Sequence, residues 1–212
     1  MTVELHAYQY SVYSWIARVV LAEKGVGYVY FEVNPFAPDV SADYLAINPF
    51  RRVPTLVHDN FVLYETSAIT RYVDETFAGI ALQPVASRPR ARMAQIIAVI
   101  DAYGYWPMVR QVYSHRVFRP RTGQPANEAE IGSGIVASER AVRALEALAE
   151  ESQYLAGEQM SLADLHLAPM MAYFTAAEEG RAVLACHPKL SAWWELMRSR
   201  STFAATEPPL PG

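Results

Sequence analysis

Residues 48–75 read NPFRRVPTLVHDNFVLYETSAITRYVDE, and this stretch decides the fold. It contains two short apolar runs, 55–58 and 61–64, that are separated only by Asp59 and Asn60. Aspartate and asparagine are suited to a tight turn between two strands. The stretch therefore predicts an antiparallel β-hairpin.

The segments on either side of this hairpin alternate between strand and helix. Downstream, residues 65–77 have the apolar spacing of an amphipathic helix. Upstream, residues 3–8 and 28–33 have the alternating or aromatic and β-branched pattern of strands. The helix predicted between them, 13–24, makes a connection long enough for a right-handed crossover, so we expect these two strands to be parallel. A short helix capped by Ser41 should precede the hairpin.

The remainder of the chain is helical almost throughout. Pro107 lies within the first of these helices and should bend it or end its first half, because proline removes a backbone donor and clashes one turn back. Residues 79–89 are rich in Gly, Pro and Ser, as is typical of a linker between domains. We predict an α/β domain over 1–78 and an all-helical domain over 90–212. The predicted helices of the second domain are 90–116, 128–150, 161–177 and 188–200.

Composition narrows the range of functions. The 212 residues are 52% hydrophobic, which argues against disorder, and the net charge of −4 argues against nucleic acid as the main partner. The single cysteine, Cys186, excludes an internal disulfide and a CxxC redox pair. Since neither a signal peptide nor a long apolar run is evident, we expect no membrane association and a cytoplasmic location. No residue spacing suggests a metal site.

Charge is distributed unevenly along the chain. Residues 1–80 hold five basic and nine acidic residues, whereas 88–121 hold seven arginines and one acid, Asp101. This arginine band is suited to an acidic surface or an anionic ligand. A solvated helix face is the simpler alternative.

Three segments together resemble one family. They are NPFRRVPTL (48–56), YETSAITRYVDE (64–75) and SLADLHLAP (161–169), and in this order they are similar to the cytosolic glutathione transferases, in particular to their serine-type classes. The resemblance implies a thioredoxin-like N-terminal domain followed by an all-α domain, with glutathione as co-substrate. Within the third segment, Ser161 and Asp164 have the spacing of a capping box and are assigned a structural role.

The resemblance also implies a glutathione site. Pro54 should follow a cis peptide bond, and the backbone N–H and C=O of Val53 should pair with the cysteinyl unit of glutathione, as in strand addition. Arg52 is a candidate side-chain contact. Glu65 should meet the ammonium group, and Thr66, which stands where the family usually has serine, should help the helix N-terminus to bind the γ-glutamyl carboxylate. The alternative for Thr66 is that it only caps its helix.

A nearby hydroxyl should activate the glutathione thiol. The register with the first helix points to Ser11, whose hydrogen bond to the sulfur would favour the thiolate. Tyr8, Tyr10 and Ser14 are the alternatives, since tyrosine has this part in other classes and Ser14 lies one helical turn from Ser11. No residue is evident for the glycine carboxylate of glutathione.

Aromatic residues are the candidates for binding the second substrate, a hydrophobic electrophile. We expect Tyr10, Tyr13, Tyr105 and Tyr113 to line its site, with Tyr103 and Trp106 as further candidates. Core packing explains such residues equally well. If Arg110 or Arg116 faced the site, an acidic electrophile would be preferred.

The predicted reaction is transfer of glutathione to this electrophile. The alternatives are a glutathione-dependent isomerase or dehalogenase of the same fold, and a non-catalytic interaction module. We also expect a homodimer, both from the resemblance and because the acidic N-terminal domain would complement the arginine band of a two-fold partner.

Overall fold

The computed structural model describes residues 2–211, which form two compact units. Of these residues, one unit comprises 2–80 with 205–209, and the other comprises 81–204 with 210 and 211. The elements of the first unit are β1 Val3–Ala7, α1 Val12–Glu23, β2 Val29–Glu32, α2 Ala42–Ile47, β3 Thr55–His58, β4 Phe61–Tyr64 and α3 Thr66–Thr76. The last helix, α10 Ser201–Thr206, begins in the second unit and ends in the first.

The first unit is built on a four-stranded sheet of order β2-β1-β3-β4. β1 and β2 are parallel, whereas β3 is antiparallel to both β1 and β4. The predicted crossover and hairpin are therefore confirmed, and the hairpin strands have the predicted bounds. Asp59 adopts φ 53° in the turn, a left-handed conformation that aspartate tolerates better than most residues.

The apolar residues of β1 and α1 form the core of this unit. Side chains of β1 alternate between buried and partly exposed, and α1 packs against α3. Trp15, Ile16 and Leu21 of α1 are fully buried. The indole N–H of Trp15 donates to the hydroxyl of Thr206 at 3.1 Å, so the C-terminal segment is held to the first unit.

The second unit is helical throughout. Its α-helices are α4 Ser87–Val99, α5 Arg119–Arg121, α6 Glu128–Leu148, α7 Leu162–Ala176, α8 Glu178–Ala185 and α9 Pro188–Arg198. Most of α7 is buried, as expected for the central helix of an all-α unit. The predicted fold, an α/β thioredoxin-like domain followed by an all-helical domain, is confirmed.

The long helix that begins the second unit passes through Pro107, so of the two predicted effects of this proline the ending of the first half is wrong. It does not end there but changes its winding, with π-helical stretches over Ile100–Gly104 and Trp106–Phe118. Because the proline ring excludes a carbonyl one α-turn back, a wider turn lets the chain pass through Pro107 without that clash. The sequence pattern also missed α8 and α10.

Candidate active site

Three segments of the first unit leave the sheet at the same end. In the strand register, His6 of β1 lies opposite Thr55 of β3, and Thr55 lies opposite Tyr64 of β4. The loop that follows β1, the residues that precede β3 and the residue that follows β4 are therefore neighbours. The predicted residues Ser11, Val53 and Glu65 lie in these three segments.

Ser11 occupies the N-cap position of α1. Its Oγ accepts a hydrogen bond from the backbone N–H of Ser14 at 3.3 Å, and its own backbone N–H donates to the carbonyl of Tyr8 at 2.9 Å. None of residues 2–211 accepts the Ser11 hydroxyl proton. The hydroxyl is therefore held by its oxygen, while its proton remains available to a ligand.

The alternatives to Ser11 are placed differently. Ser14 is 0% exposed and its Oγ accepts from the backbone N–H of Tyr8 at 3.3 Å, so it supports the loop from inside the fold. Tyr8 packs edge-on against Tyr10, with ring centroids 5.5 Å apart. Burial, aided by Tyr10 and Glu32, raises the pKa of the Tyr8 phenol, which therefore stays neutral.

The Val53–Pro54 peptide bond is cis, as the resemblance implies. Pro54 is buried, whereas Val53 is partly exposed. Neither the backbone N–H nor the C=O of Val53 has a hydrogen-bond partner among residues 2–211. Val53 therefore presents a free donor and a free acceptor at the end of the sheet where the inner strand β3 begins.

The two arginines that precede Val53 differ in their contacts. The guanidinium of Arg51 donates to the carbonyl of Ala37, and its backbone has φ 52°. Arg52 is exposed, and its side chain forms no hydrogen bond or ion pair with residues 2–211, so it can contact a ligand at the surface.

The N-terminus of α3 has unsatisfied backbone donors. Glu65 is its N-cap residue, and no side chain caps the helix. The first intrahelical bond runs from Ile69 to Glu65, so the N–H groups of Thr66, Ser67 and Ala68 have no partner within the helix. Since Thr66 is the first helical residue and not the cap, the alternative that it only caps α3 is wrong.

Glu65 has a strained backbone. Its φ of 71° and ψ of 116° are rare for a residue with a side chain. Strain of this kind persists where the surrounding structure imposes it, and it concentrates at functional sites. Glu65 itself is exposed beside the free N–H groups of α3.

A buried network that the sequence interpretation missed lies behind Val53. Tyr44, Asn48 and Thr55 are 4%, 1% and 0% exposed. Tyr44 Oη and Asn48 Nδ2 both donate to the backbone carbonyl of Arg52, the latter at 2.9 Å. Thr55 Oγ1 lies 3.0 Å from each of these two donors. A tyrosine on α2 and the asparagine that follows it by four residues as the C-cap were the only sequence signal for it.

The candidates for the electrophile differ in their exposure. Tyr10, Tyr13 and Tyr105 are partly exposed, and Tyr103 and Trp106 are 67% and 59% exposed. Tyr113 is 5% exposed and stacks on Tyr173 with ring centroids 4.2 Å apart. Core packing thus accounts for Tyr113, which offers little surface to a substrate.

Arg116 is not available to bind an acidic electrophile, the role considered for it from the sequence. Its guanidinium binds the Glu128 carboxylate through two hydrogen bonds of 2.9 and 2.8 Å, and it contacts Glu179 at 2.7 Å. These interactions, that with Glu128 first, raise the pKa of Arg116. Because two carboxylates of its own unit neutralise it, Arg116 is not a free cation for an acidic electrophile.

Among residues 2–211, no group of acidic, His or Cys side chains could hold a metal ion, and no helix is long and apolar enough to cross a membrane.

Comparisons with known proteins identify relatives of this chain. Family models described as the N-terminal and C-terminal domains of glutathione S-transferase match residues 5–81 and 106–201. Glutathione S-transferase F10 of Arabidopsis thaliana is 30% identical over 190 residues, which cover 88% of each chain. Glutathione S-transferase 3 of Zea mays is 28% identical over 196 residues, which cover 91% of this chain and 87% of the relative.

Solved structures of glutathione S-transferases are also similar to the structure of this chain. The apo form of glutathione S-transferase III has a TM-score of 0.87 at 27% identity and covers 100% of this chain and 99% of its own. A theta-class glutathione S-transferase of Xanthomonas axonopodis pv. citri, solved with glutathione bound, has a TM-score of 0.83 at 25% identity, with 100% and 99% covered.

Proposed function

Since the chain belongs to the glutathione S-transferase family, we propose that its first unit binds glutathione at the end of the sheet where Ser11, Val53 and Glu65 meet. The enzyme is a glutathione transferase, and glutathione is its co-substrate. The observation that supports the location most strongly is the free backbone donor and acceptor of Val53 beside the uncapped N-terminus of α3.

In this proposal the cysteinyl unit of glutathione forms a β-bridge with Val53, just before the inner strand β3. The N–H and C=O of Val53 supply one donor and one acceptor, which recognise a peptide backbone whatever its side chain. Pro54 follows and has no N–H of its own, so it does not compete for the ligand. Arg52, exposed next to them, is proposed to contact the tripeptide.

The γ-glutamyl end is proposed to bind at α3. Its carboxylate accepts from the backbone N–H groups of Thr66 and Ser67, where the positive end of the helix dipole favours an anion. The exposed carboxylate of Glu65 meets the ammonium group. The ligand is thereby recognised at both charges of its terminal amino acid.

Ser11 is proposed to ionise the thiol. Its free hydroxyl proton donates to the sulfur, and the N-terminus of α1 adds a favourable field. A thiol with a pKa of about 8.5 is only a few per cent ionised at neutral pH. Lowering that pKa by about two units requires roughly 2.7 kcal/mol of preferential thiolate stabilisation, which one charge-assisted bond and a helix dipole can supply.

The thiolate then attacks an electrophilic carbon, forms the C–S bond and displaces a leaving group or an electron pair. We propose that the electrophile is hydrophobic and that Tyr10 and Tyr13 of the first unit, both partly exposed, contact it. Tyr113 is not retained because it is buried.

The subcellular location of the protein is proposed to be cytoplasmic.

The direct test of the activity is calorimetry with glutathione followed by product analysis with an activated aromatic halide. We expect saturable binding of glutathione and one thioether formed for each glutathione consumed. Binding without consumption of glutathione would contradict the transfer reaction, and the absence of binding at millimolar glutathione would contradict the site.

A homodimer is also proposed. Phe61 and Val62 of the edge strand β4 are 50% and 37% exposed, and Phe50, in the loop before β3, is 64% exposed. The ring of Phe50 lies 5.8 Å from that of Tyr64, which joins Phe50 to this surface. Exposed aromatic surface of this kind is typical of an interface, and a two-fold axis would cover it with its own copy.

We expect Phe50→Asp to convert the dimer to a monomer at micromolar concentration, because a buried, unpaired carboxylate would destabilise the interface by several kcal/mol. Sedimentation velocity measures the change. Phe36→Asp is the matched control, since Phe36 is 61% exposed but follows β2 at the opposite edge of the sheet. If Phe50→Asp sediments as a dimer, this surface is not the interface.

A further inference from the structure

We propose that Tyr44, Asn48 and Thr55 are positioning residues for glutathione, because they fix the direction of the Val53 N–H. This inference rests on the proposed role of Val53 in binding the cysteinyl unit. It assigns a function to three buried side chains that do not themselves reach the ligand.

The hydrogen-bond directions in this network follow from its chemistry. A carbonyl only accepts, so Tyr44 Oη must donate its one proton to Arg52 O. Asn48 Nδ2 has two protons, and they go to Arg52 O at 2.9 Å and to Thr55 Oγ1 at 3.0 Å. The Thr55 hydroxyl therefore donates to Tyr44 Oη, 3.0 Å away. Each of these protons has an acceptor, and both lone pairs of the carbonyl are filled.

The network is anchored on two elements. Tyr44 lies in α2 and Asn48 is its C-cap, while Thr55 is the first residue of β3. The Asn48 side chain also accepts from the backbone N–H of Phe50 at 3.2 Å. The segment from Asn48 to Thr55 is therefore held by hydrogen bonds at both of its ends and at the carbonyl of Arg52.

The orientation of the Arg52 carbonyl determines the direction of the Val53 N–H. The Arg52 C=O and the Val53 N–H belong to one planar trans peptide unit, so they point in opposite directions. With the carbonyl turned into the buried network, the N–H is directed away from it, to the side that is free of protein partners. A donor oriented before binding loses less freedom when the ligand arrives.

The affinity for glutathione should therefore depend on buried hydrogen bonds that do not involve glutathione itself. We expect Tyr44→Phe and Thr55→Val to raise the KM for glutathione about tenfold, with kcat at saturating glutathione and the KM for the electrophile nearly unchanged. Thr55→Ser keeps the hydroxyl and should restore the wild-type KM.

Loss of stability is separated from loss of positioning by a matched control. Tyr72→Phe removes the hydrogen bond between the Tyr72 hydroxyl and His58 Nδ1, 2.8 Å long and also in the first unit. It should lower Tm as Tyr44→Phe does but leave the KM for glutathione unchanged. The amide proton resonance of Val53 should shift in Tyr44→Phe and not in Tyr72→Phe.

The outcomes distinguish this inference from the proposed function. If wild-type protein binds glutathione and both Tyr44→Phe and Thr55→Val bind it equally well, the positioning role is wrong. The same conclusion follows if Tyr72→Phe weakens binding as much as they do. If the wild-type protein binds no glutathione, the proposed function itself fails.

Discussion

Ser11→Ala is expected to raise the pKa of the bound glutathione thiol by up to about two units and to lower kcat/KM at neutral pH by roughly threefold. The thiolate fraction at pH 7 falls about 25-fold when the thiol pKa moves from about 6.5 to about 8.5. A thiolate of higher pKa is intrinsically more nucleophilic, which returns part of that loss.

The sign of the pH dependence follows from the same shift. Only the thiolate attacks. At saturating glutathione, kcat/KM of the wild-type enzyme for the electrophile should therefore rise with pH through the pKa of the bound thiol and then level off. In Ser11→Ala this rise should occur up to about two units higher, so the difference between the two enzymes shrinks in alkaline solution. The pH profile of kcat/KM measures both effects.

Removing the hydroxyl of Ser11 also removes a helix cap, so a control for stability is needed. Asn127 caps α6 by accepting from the N–H groups of Ala129 and Glu130 at 3.0 and 3.3 Å. Asn127→Ala should lose a similar amount of stability, about 1 kcal/mol, and keep the wild-type pH profile. An unshifted profile in Ser11→Ala would assign thiol activation to another residue.

Asp164→Ala is expected to destabilise the helical unit by about 3 to 5 kcal/mol. The Asp164 carboxylate is 0% exposed and accepts from the backbone N–H groups of Leu155 and Ser161 at 2.9 and 2.8 Å. It also accepts from the Ser161 hydroxyl at 2.8 Å and from Trp193 Nε1 at 2.9 Å. Alanine would leave four donors without their acceptor in the core.

Urea unfolding compares this variant with an exposed one. Glu139→Ala, on the solvent side of α6, should change the free energy of unfolding by less than about 0.5 kcal/mol. The capping box predicted at Ser161 and Asp164 is confirmed, but the bonds to Leu155 and Trp193 extend its role to two further segments. A loss below about 1 kcal/mol in Asp164→Ala would show that these donors find other partners.

Local sequence signals predicted the sheet and most helices correctly. The hairpin was predictable because Asp59 and Asn60 separate two short apolar runs, and α2 because Ser41 is a good cap, which accepts from the Tyr44 N–H at 3.2 Å. The break between α7 and α8 has no such signal, since it occurs at the extended residue Ala177. Gly180 in α8 is explained only by packing: an added Cβ would lie 2.0 Å from the carbonyl oxygen of Phe174.

In the candidate site, too, local sequence predicted individual residues but not the contacts between residues distant in the chain. The register of the first helix indicated Ser11 over Ser14 only through the family resemblance, and burial of Ser14 supplies the physical reason. The burial of Tyr113 was not predictable, because helical periodicity does not say which neighbour covers a face. The network behind Val53 joins residues of α2 and β3, and only the folded chain brings them together.

The most direct measurement is a pH titration of the wild-type enzyme saturated with glutathione, followed by the ultraviolet absorbance of the thiolate. Half of the bound thiol should be ionised at a pH about two units below that of free glutathione. If bound and free glutathione ionise at the same pH, the site does not stabilise the thiolate, and Ser11 has no part in activating it.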